Sequence, residues 1–476
     1  MKTDGTAGNV AFPAVCFIKA DIWRSNRILP FAKKEDFMKR KWLQKTICCM
    51  LGVATAATML ALPSTAQTGF QLSAKDFVAQ INCGWNLGNS LDVAEAWGGE
   101  TGWGNPIVTE EVLDAAVEKG FNTIRIPITW FGEASKVGKI TKTRMAKAKK
   151  VVDWAMDNDV FVIINAHHEG AWLKTDPDMS QTEMEAMFDN YAYLWEQVAT
   201  EFKDYNEKLI FESHNEVRYE EDWSGYDEYY DIINRINATF VETVRATGGN
   251  NAKRYLVLDT YGATASYGSV HDFVLPDDPA NHLIVDVHLY NPYGFCSKPS
   301  EESINEVEFN YDSLYNSLHQ PLEYLKECFI DKGVPVIIGE MGSVNKDNTA
   351  DRAEHAVAYV RMAAQYGIKC FWWDDGGDFM LLNRNTMEWD YGEIADAMIE
   401  EANKYVVVPE IEYGNVNGDT GIDAKDSLLL RRYIARYDVQ IDTDAADVNA
   451  DGKINSKDSV LLRRHIANYD VVLGPQ

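Results

Sequence analysis

The chain has 476 residues, too many for one ordinary domain unless one of its domains is a barrel. Its formal net charge of -28 at pH 7 argues against nucleic acid and anionic membrane surfaces as partners, and suits solubility or attraction for calcium. Aromatic residues make up 12% of the sequence, with 13 Trp and 23 Tyr, enough for a large core with rings left over to line a cleft.

In chain order, the first feature is an export signal. Met38-Lys39-Arg40-Lys41 is basic, Thr46–Leu62 is a compact apolar run, and Ser64-Thr65-Ala66 supplies small residues before a cut. The pattern predicts translation from Met38, cleavage after Ala66, and a secreted, extracellular mature protein with no membrane span. A membrane anchor is the alternative, but the apolar run is short and alanine-rich. Residues 1–37 show no periodicity and are read, with the signal, as an upstream segment ending at 66. Cys16, Cys48 and Cys49 leave with that segment. Cys83, Cys296, Cys328 and Cys370 remain, widely spaced and without a CxxC, which argues against a cysteine metal site. Cys83 and Cys370 lie in apolar runs, where buried free thiols are expected. Spacing alone leaves disulfide pairing open.

Residues 70–405 alternate apolar strand-like runs with amphipathic stretches. The strands are expected at Ile81–Leu87, Asn122–Pro127, Val160–His167, Leu209–Glu216, Tyr255–Thr260, Leu283–Tyr290, Val334–Glu340 and Lys369–Asp374. Helices are expected at Glu110–Lys119, Thr143–Asp157, Thr182–Phe202, Tyr226–Arg245, Asp312–Lys332 and Ala350–Tyr366. Eight buried strands, each with room for a helix after it, predict a (β/α)8 TIM barrel. An open doubly wound sheet is disfavoured, because no strand carries a GxGxxG or phosphate loop.

Polar and aromatic groups gather at the C-terminal ends of these strands: Arg125, His167 and His168, Asn215 and Glu216, His288 and Tyr290, Glu340, Trp372 and Trp373. That end is where such barrels hold their active sites. Two glutamates converging there, Glu216 and Glu340, are the minimum equipment for cleaving a glycosidic bond. Trp372 and Trp373 cannot both face inward, and position alone does not say which does. Asn86, Trp130 and Trp172 follow strands and are candidates for lining the cleft.

Through IRIP, NAHHE, LIFESHNE, HLY, VIIGEMG, WNLGN (Trp85–Asn89) and FWWDDGG, this segment resembles glycoside hydrolase family 5, in particular its endoglucanase branch. Asp375 stands where that branch usually carries Asn. The resemblance implies a retaining endo-β-1,4-glucanase acting on cellulose or related β-glucans. Glu216 would be the acid/base, staying protonated near neutrality, and Glu340 the nucleophile, staying ionised beside a cation such as Arg125. Asn86, Arg125, His167, His168, Asn215, His288, Tyr290, Trp372 and Trp373 would bind substrate, and no cofactor would be needed for catalysis. Rival readings are the same machinery on xyloglucan, lichenan or mannan, a metal-dependent barrel hydrolase using His167, His168 and Glu169, and a non-catalytic carbohydrate-binding barrel.

A spacer, 406–412, leads into a second module over 413–476. Asn415–Asp438 and Asp447–Asp470 are copies of each other, each an acidic loop followed by a helical DS(L/V)LLRR pattern. Hard oxygens at loop positions one, three, five and twelve are what calcium asks for. These are Asn415, Asn417, Asp419 and Asp426 in the first loop, and Asp447, Asn449, Asp451 and Asp458 in the second. No helix has room to precede either loop. Duplicated EF-hand-like loop–helix units without leading helices resemble a type I dockerin, an all-α calcium-binding module that plugs enzymes into the cohesin domains of a scaffold. The first loop departs from the pattern at Asn415 and Thr420, so it is expected to bind calcium more weakly. Leu428, Leu429, Leu461 and Leu462 are expected to form the small core. Ala424-Lys425 and Ser456-Lys457, supported by Arg431-Arg432 and Arg463-Arg464, are expected to meet cohesin.

Overall fold

The structure, a computed structural model, describes residues 70, 72–133, 137–298, 305–407, 412–419, 421–437, 439, 441–451 and 453–474. The expected export signal, Cys16, Cys48, Cys49 and Thr420 lie outside the described residues.

All eight expected strands form, each four to six residues long: β1 Gly84–Leu87, β2 Thr123–Ile126, β3 Phe161–Ile164, β4 Leu209–Glu212, β5 Leu256–Asp259, β6 Leu283–His288, β7 Val336–Met341 and β8 Lys369–Asp374. They pair in chain order, all parallel, and β8 closes on β1. The expected helices form within one or two residues of their limits, with one exception. Tyr311–Cys328 stops short of Lys332, whose stretch becomes a separate 3-10 turn, Ile330–Lys332. Gln181–Glu201 starts at a capping box in which Ser180 and Glu183 satisfy each other's free N–H groups.

The alternation of side chains along each strand divides the core in two. Outward residues such as Ile124, Val162, Phe211, Leu258, Val287 and Trp372 pack against the ring of helices. Inward residues Phe161, Ile163, Ile210, Val257, Ile284, Ile337 and Phe371 fill the lower barrel. A short helix not read from the sequence, Ala74–Ala79, plugs that end, with Phe77 stacked on Tyr255 at 3.7 Å. Gly84 is required beside this plug, because a Cβ there would meet the Phe371 ring at 2.4 Å. Above this apolar floor the next inward positions are Asn86, Arg125, Glu212, Asp259 and Asp286, all fully buried. The barrel therefore changes from apolar to ionic along its axis. The free thiols Cys83 and Cys370 are buried, as expected.

At the C-terminal end the structure holds a small all-α region. Helices Ala424–Ile434 and Ser456–Ile466 repeat each other, with a short helix, Thr443–Ala446, between them. Its core is Val416, Leu430, Ile441, Ala446, Val448 and Leu462. Leu428 is instead 45% exposed, because the helical period turns Asp426, Ser427 and Leu430 inward. Among the described residues no helix is long and apolar enough to cross a membrane.

Candidate active site

The site grows out of the ionic layer. Arg125 on β2 is fully buried and fully engaged. Its Nε and Nη2 donate to the two oxygens of Glu212 at 2.7 and 2.6 Å, and its Nη1 donates to Glu340 Oε1 at 2.7 Å. It also donates to the side-chain oxygens of Asn86 and Asn215, both at 2.9 Å. Such a fork fixes several partners at once, which an ammonium does not. The other oxygen of Glu340 accepts the Tyr290 hydroxyl at 3.0 Å. The pairing register shifts between β7 and both its neighbours, and that irregularity sets Glu340 opposite His288.

Glu216 arrives differently. The expected strand ends at Glu212, and Ser213–Glu216 is loop rather than strand. Glu216 itself has φ 48, a left-handed conformation that costs about 1–2 kcal/mol for a residue with a side chain. Strain of this kind is tolerated where a side chain must be aimed. His288 receives it, with Nδ1 3.0 Å from Glu216 Oε1 and 3.7 Å from Glu340 Oε2. One oxygen of Glu216, one of Glu340 and a ring nitrogen of His288 lie within 4.8 Å of one another. Arg218 Nη1 approaches the Glu216 carboxylate at 3.7 Å and its guanidinium lies over Trp223.

The electrostatics reverse one expectation. Burial alone raises Glu216, but the His288 hydrogen bond and the charges of His288 and Arg218 carry its carboxyl below the usual range. Burial raises Glu340 above its ordinary value, although His288 and Arg125 pull the other way. His288 carries the shift opposite to that of Glu216. Burial opposes its charge, yet Glu340, Asp286 and Glu216 together hold it well above the usual histidine value. Tyr290 is raised by burial and by Glu340, and so stays a donor.

Several residues expected to touch substrate do not reach the surface. Asn86 and Arg125 have 0% exposure. The amide of Asn86 donates to the carbonyls of Gly339 and Trp372, tying β7 and β8 to Arg125. Trp372 is also fully buried, its indole donating to the Phe379 carbonyl. The β1–β8 register pairs Trp85 with Trp372 and Asn86 with Trp373, so the inward ring is Trp373, stacked parallel to His167 at 5.8 Å. Trp130 and Trp172 are packing residues, bonded to the Asn165 carbonyl and to Glu169. Glu169 accepts from the N–H groups of Trp130, Phe131 and Gly132 as well, so its carboxylate is taken and does not join His167 and His168 as a metal ligand. Asn215, His288 and Tyr290 bond directly to the Arg125–glutamate cluster, and His167 stacks on Trp373 beside His168. His168 lies edge-on to the stacked pair Trp97 and Trp103, rings that the sequence reading missed because they sit in a loop without periodicity. Glu212, Asp259 and Asp286 were missed too, although strand parity points each of them inward.

In the C-terminal region each loop is drawn together by its last carboxylate. Asp426 accepts the N–H groups of Asn417 and Asp423 at 3.0 and 2.8 Å. Asp458 accepts those of Asn449 and Asn455 at 3.3 and 2.8 Å. Among the described residues, the Asn415 side-chain oxygen is buried and has no hydrogen-bond partner.

Residues 88–378, the greater part of the chain, match the family model for cellulases of glycosyl hydrolase family 5. The chain belongs to glycoside hydrolase family 5. Residues 413–467 match the dockerin type I domain, so this family 5 cellulase carries a dockerin at its C-terminal end. Endoglucanase A of Clostridium longisporum is 38% identical over 384 residues, covering 76% of this chain and 72% of that protein. Endoglucanase A of Ruminococcus albus is 40% identical over 347 residues, 70% of this chain and 93% of that protein. A broad-specificity GH5-4 endoglucanase from Ruminococcus champanellensis, solved with cellotriose, is 38% identical with a TM-score of 0.64, covering 69% of this chain and 98% of that one.

Proposed function

We propose that this family 5 enzyme hydrolyses internal β-1,4 bonds of cellulose and related β-glucans with retention, using Glu340 as nucleophile and Glu216 as acid/base. The observation that carries this reading is the spacing of the two carboxylates, whose nearest oxygens and His288 fall within 4.8 Å of one another. Retaining glycosidases keep their carboxyls about 5 Å apart, whereas inverting ones leave room for a water between. Glu340 attacks the anomeric carbon while Glu216 protonates the departing oxygen. Glu216 then takes a proton from the water that releases the sugar. Arg125 and Tyr290 hold both oxygens of Glu340 in line for attack. Asn215 has its carbonyl fixed on Arg125, which leaves its amide to donate to the sugar's 2-hydroxyl. Trp373 offers its inward face for stacking on a sugar ring, beside His167.

The barrel domain spans 70–405, the spacer 406–412 and the dockerin 413–476. The dockerin binds two calcium ions structurally, through Asn415, Asn417, Asp419 and Asp426 and through Asp447, Asn449, Asp451 and Asp458. The orphaned Asn415 oxygen and the amide-rich loops fit that role, since calcium takes carboxylate and amide oxygens readily. Its exposed loop-to-helix residues meet a cohesin, tethering the secreted enzyme to a scaffold outside the cell. A second substrate reading, activity on xyloglucan or lichenan, is favoured by two similar solved structures, one named a lichenase and one a xyloglucan-specific endoglucanase.

Reducing-sugar release from carboxymethylcellulose, lichenan, xyloglucan and glucomannan, measured beside Glu340→Gln, tests the reading. Activity on the first that vanishes in the variant is expected. Activity confined to the others would change the substrate, and equal activity in both proteins would overturn the assignment.

A further inference from the structure

Beneath the two glutamates lies an acidic layer to which the reaction above gives no task. Glu212, Asp259, Asp286 and His288 each bring one atom within 4.8 Å of the others, and all four are buried. Asp259 and Asp286 are direct neighbours in the β5–β6 register. Both oxygens of Asp259, and Oδ2 of Asp286, have no hydrogen-bond partner at 0% exposure. Asp286 Oδ1 accepts the Gly339 N–H at 2.6 Å, while His288 Nε2 has Asp286 Oδ2 at 3.7 Å on one side and Arg125 Nη2 at 3.5 Å on another. A Cβ at position 339 would come 2.1 Å from that Oδ2, so glycine keeps the space for this carboxylate.

The charges around His288 do not balance without bound protons. Five carboxylates surround it: Glu212 from β4, Glu216 from the loop after it, Asp259 from β5, Asp286 from β6 and Glu340 from β7. The cations are Arg125 and, at the rim, Arg218. Burial keeps His167, His168 and His214 neutral. Unpaired anions buried side by side are costly, so protons must make up the difference. Of the five, Asp259 is the carboxylate that accepts no hydrogen bond among the described residues. Burial, with Glu212 and Asp286 nearby, holds it well above the usual range, which favours its protonated form. Its O–H needs an acceptor, and the open Oδ2 of Asp286 needs a donor.

We propose that Asp259 and Asp286 are positioning residues for the proton-transfer steps: they share one proton, and their remaining negative charge under His288 Nε2 keeps a proton on Nδ1 for Glu216. This rests on Glu216 being the acid/base. In the first half-reaction the Nδ1 proton passes to Glu216 Oε1 and on to the leaving oxygen, as the glycosidic C–O bond breaks and Glu340 bonds to the anomeric carbon. Forming that ester removes an anion 3.7 Å from Nδ1, which loosens the proton when it is needed. In the second half water bonds to the anomeric carbon, the bond to Glu340 breaks, and the water's proton returns through Glu216 to Nδ1. One proton leaves and one returns.

The test is the pH profile of kcat/KM on cello-oligosaccharides for Asp286→Asn and Asp259→Asn. Asp286→Asn keeps size and removes the charge, so the alkaline limb moves to lower pH by about one unit while KM stays nearly constant. Asp259→Asn exchanges one neutral group for another and leaves both limbs in place. With a dinitrophenyl cellobioside, whose leaving group needs no proton, the first step of Asp286→Asn runs at the wild-type rate. An unmoved limb in folded Asp286→Asn, or an equal shift in Asp259→Asn, overturns the proposal. Should Asp286→Asn not fold, nitrogen-15 NMR of the wild-type enzyme decides, with a protonated His288 ring expected at pH 7 and a neutral one contradicting it. Glu216→Ala separates the two readings. Azide rescue on the dinitrophenyl substrate supports the acid/base, so a silent Asp286→Asn then defeats the relay alone, whereas no rescue defeats the acid/base reading itself.

Discussion

Glu212→Gln is the perturbation that asks most of the buried ion pair. Glu212 and Arg125 both have side chains at 0% exposure and share two bonds of 2.6 and 2.7 Å, with Asn165 donating a third at 2.8 Å. The amide keeps the shape of glutamate but turns an N–H2 toward a donor, leaving the guanidinium half-paired in a dry interior. Breaking one partner of a buried pair typically costs about 3–5 kcal/mol. For a domain of this size that corresponds to a fall in melting temperature of roughly 4–7 °C. Because the same guanidinium holds Glu340, kcat on a soluble β-glucan falls by about a hundredfold, with little change in KM. Differential scanning calorimetry and steady-state kinetics on the same preparation read both effects. A melting temperature within about 1 °C of wild type, with unchanged kcat, would show that Arg125 does not depend on Glu212.

The adjacent tryptophans should separate cleanly. Trp372→Ala opens a cavity behind β8 and costs about 3–5 kcal/mol, seen in thermal unfolding, whereas Trp373→Ala mainly raises KM and leaves the melting temperature close to wild type. Glu401, 3% exposed, is held down at about 2 by its Arg361 hydrogen bond against the penalty of burial, with Lys404 adding to the pull. A lowered folded value stabilises above the ordinary glutamate range and loses that stability as pH falls towards 2. Glu401→Gln should therefore be less stable by about 1 kcal/mol at pH 7, with the difference shrinking below pH 4; a gap that widens in acid would contradict this. Chelating calcium should loosen the C-terminal module without lowering barrel activity. Asp458→Ala should remove the tighter of two calcium sites and Asp426→Ala the weaker, as calorimetric titration would record.

The barrel was legible because each strand is an apolar run bounded by turn residues, so all eight appear where the pattern puts them. Leu209–Glu216 was read as one strand, since nothing in SHNE announces a break. The structure stops it at Glu212 and gives Glu216 a left-handed turn instead. Tertiary geometry, not local propensity, decides that. Parity carried more than was taken from it. Inward Ile210 implies inward Glu212, and inward Phe371 implies inward Trp373, but which set faces inward depends on the closed barrel's register. The plug Ala74–Ala79 is too short for a periodic signal, and the Trp97–Trp103 pair is assembled by a loop.

Glu340 as the nucleophile of a retaining glucanase is tested most directly by incubation with a 2-deoxy-2-fluoro cellobioside carrying a dinitrophenyl leaving group, followed by digestion and mass spectrometry. A stable glycosyl adduct is expected on the peptide containing Glu340, at that residue, and none in Glu340→Gln. An adduct on another carboxylate, or no adduct from an active enzyme whose product emerges with inverted configuration, would contradict it.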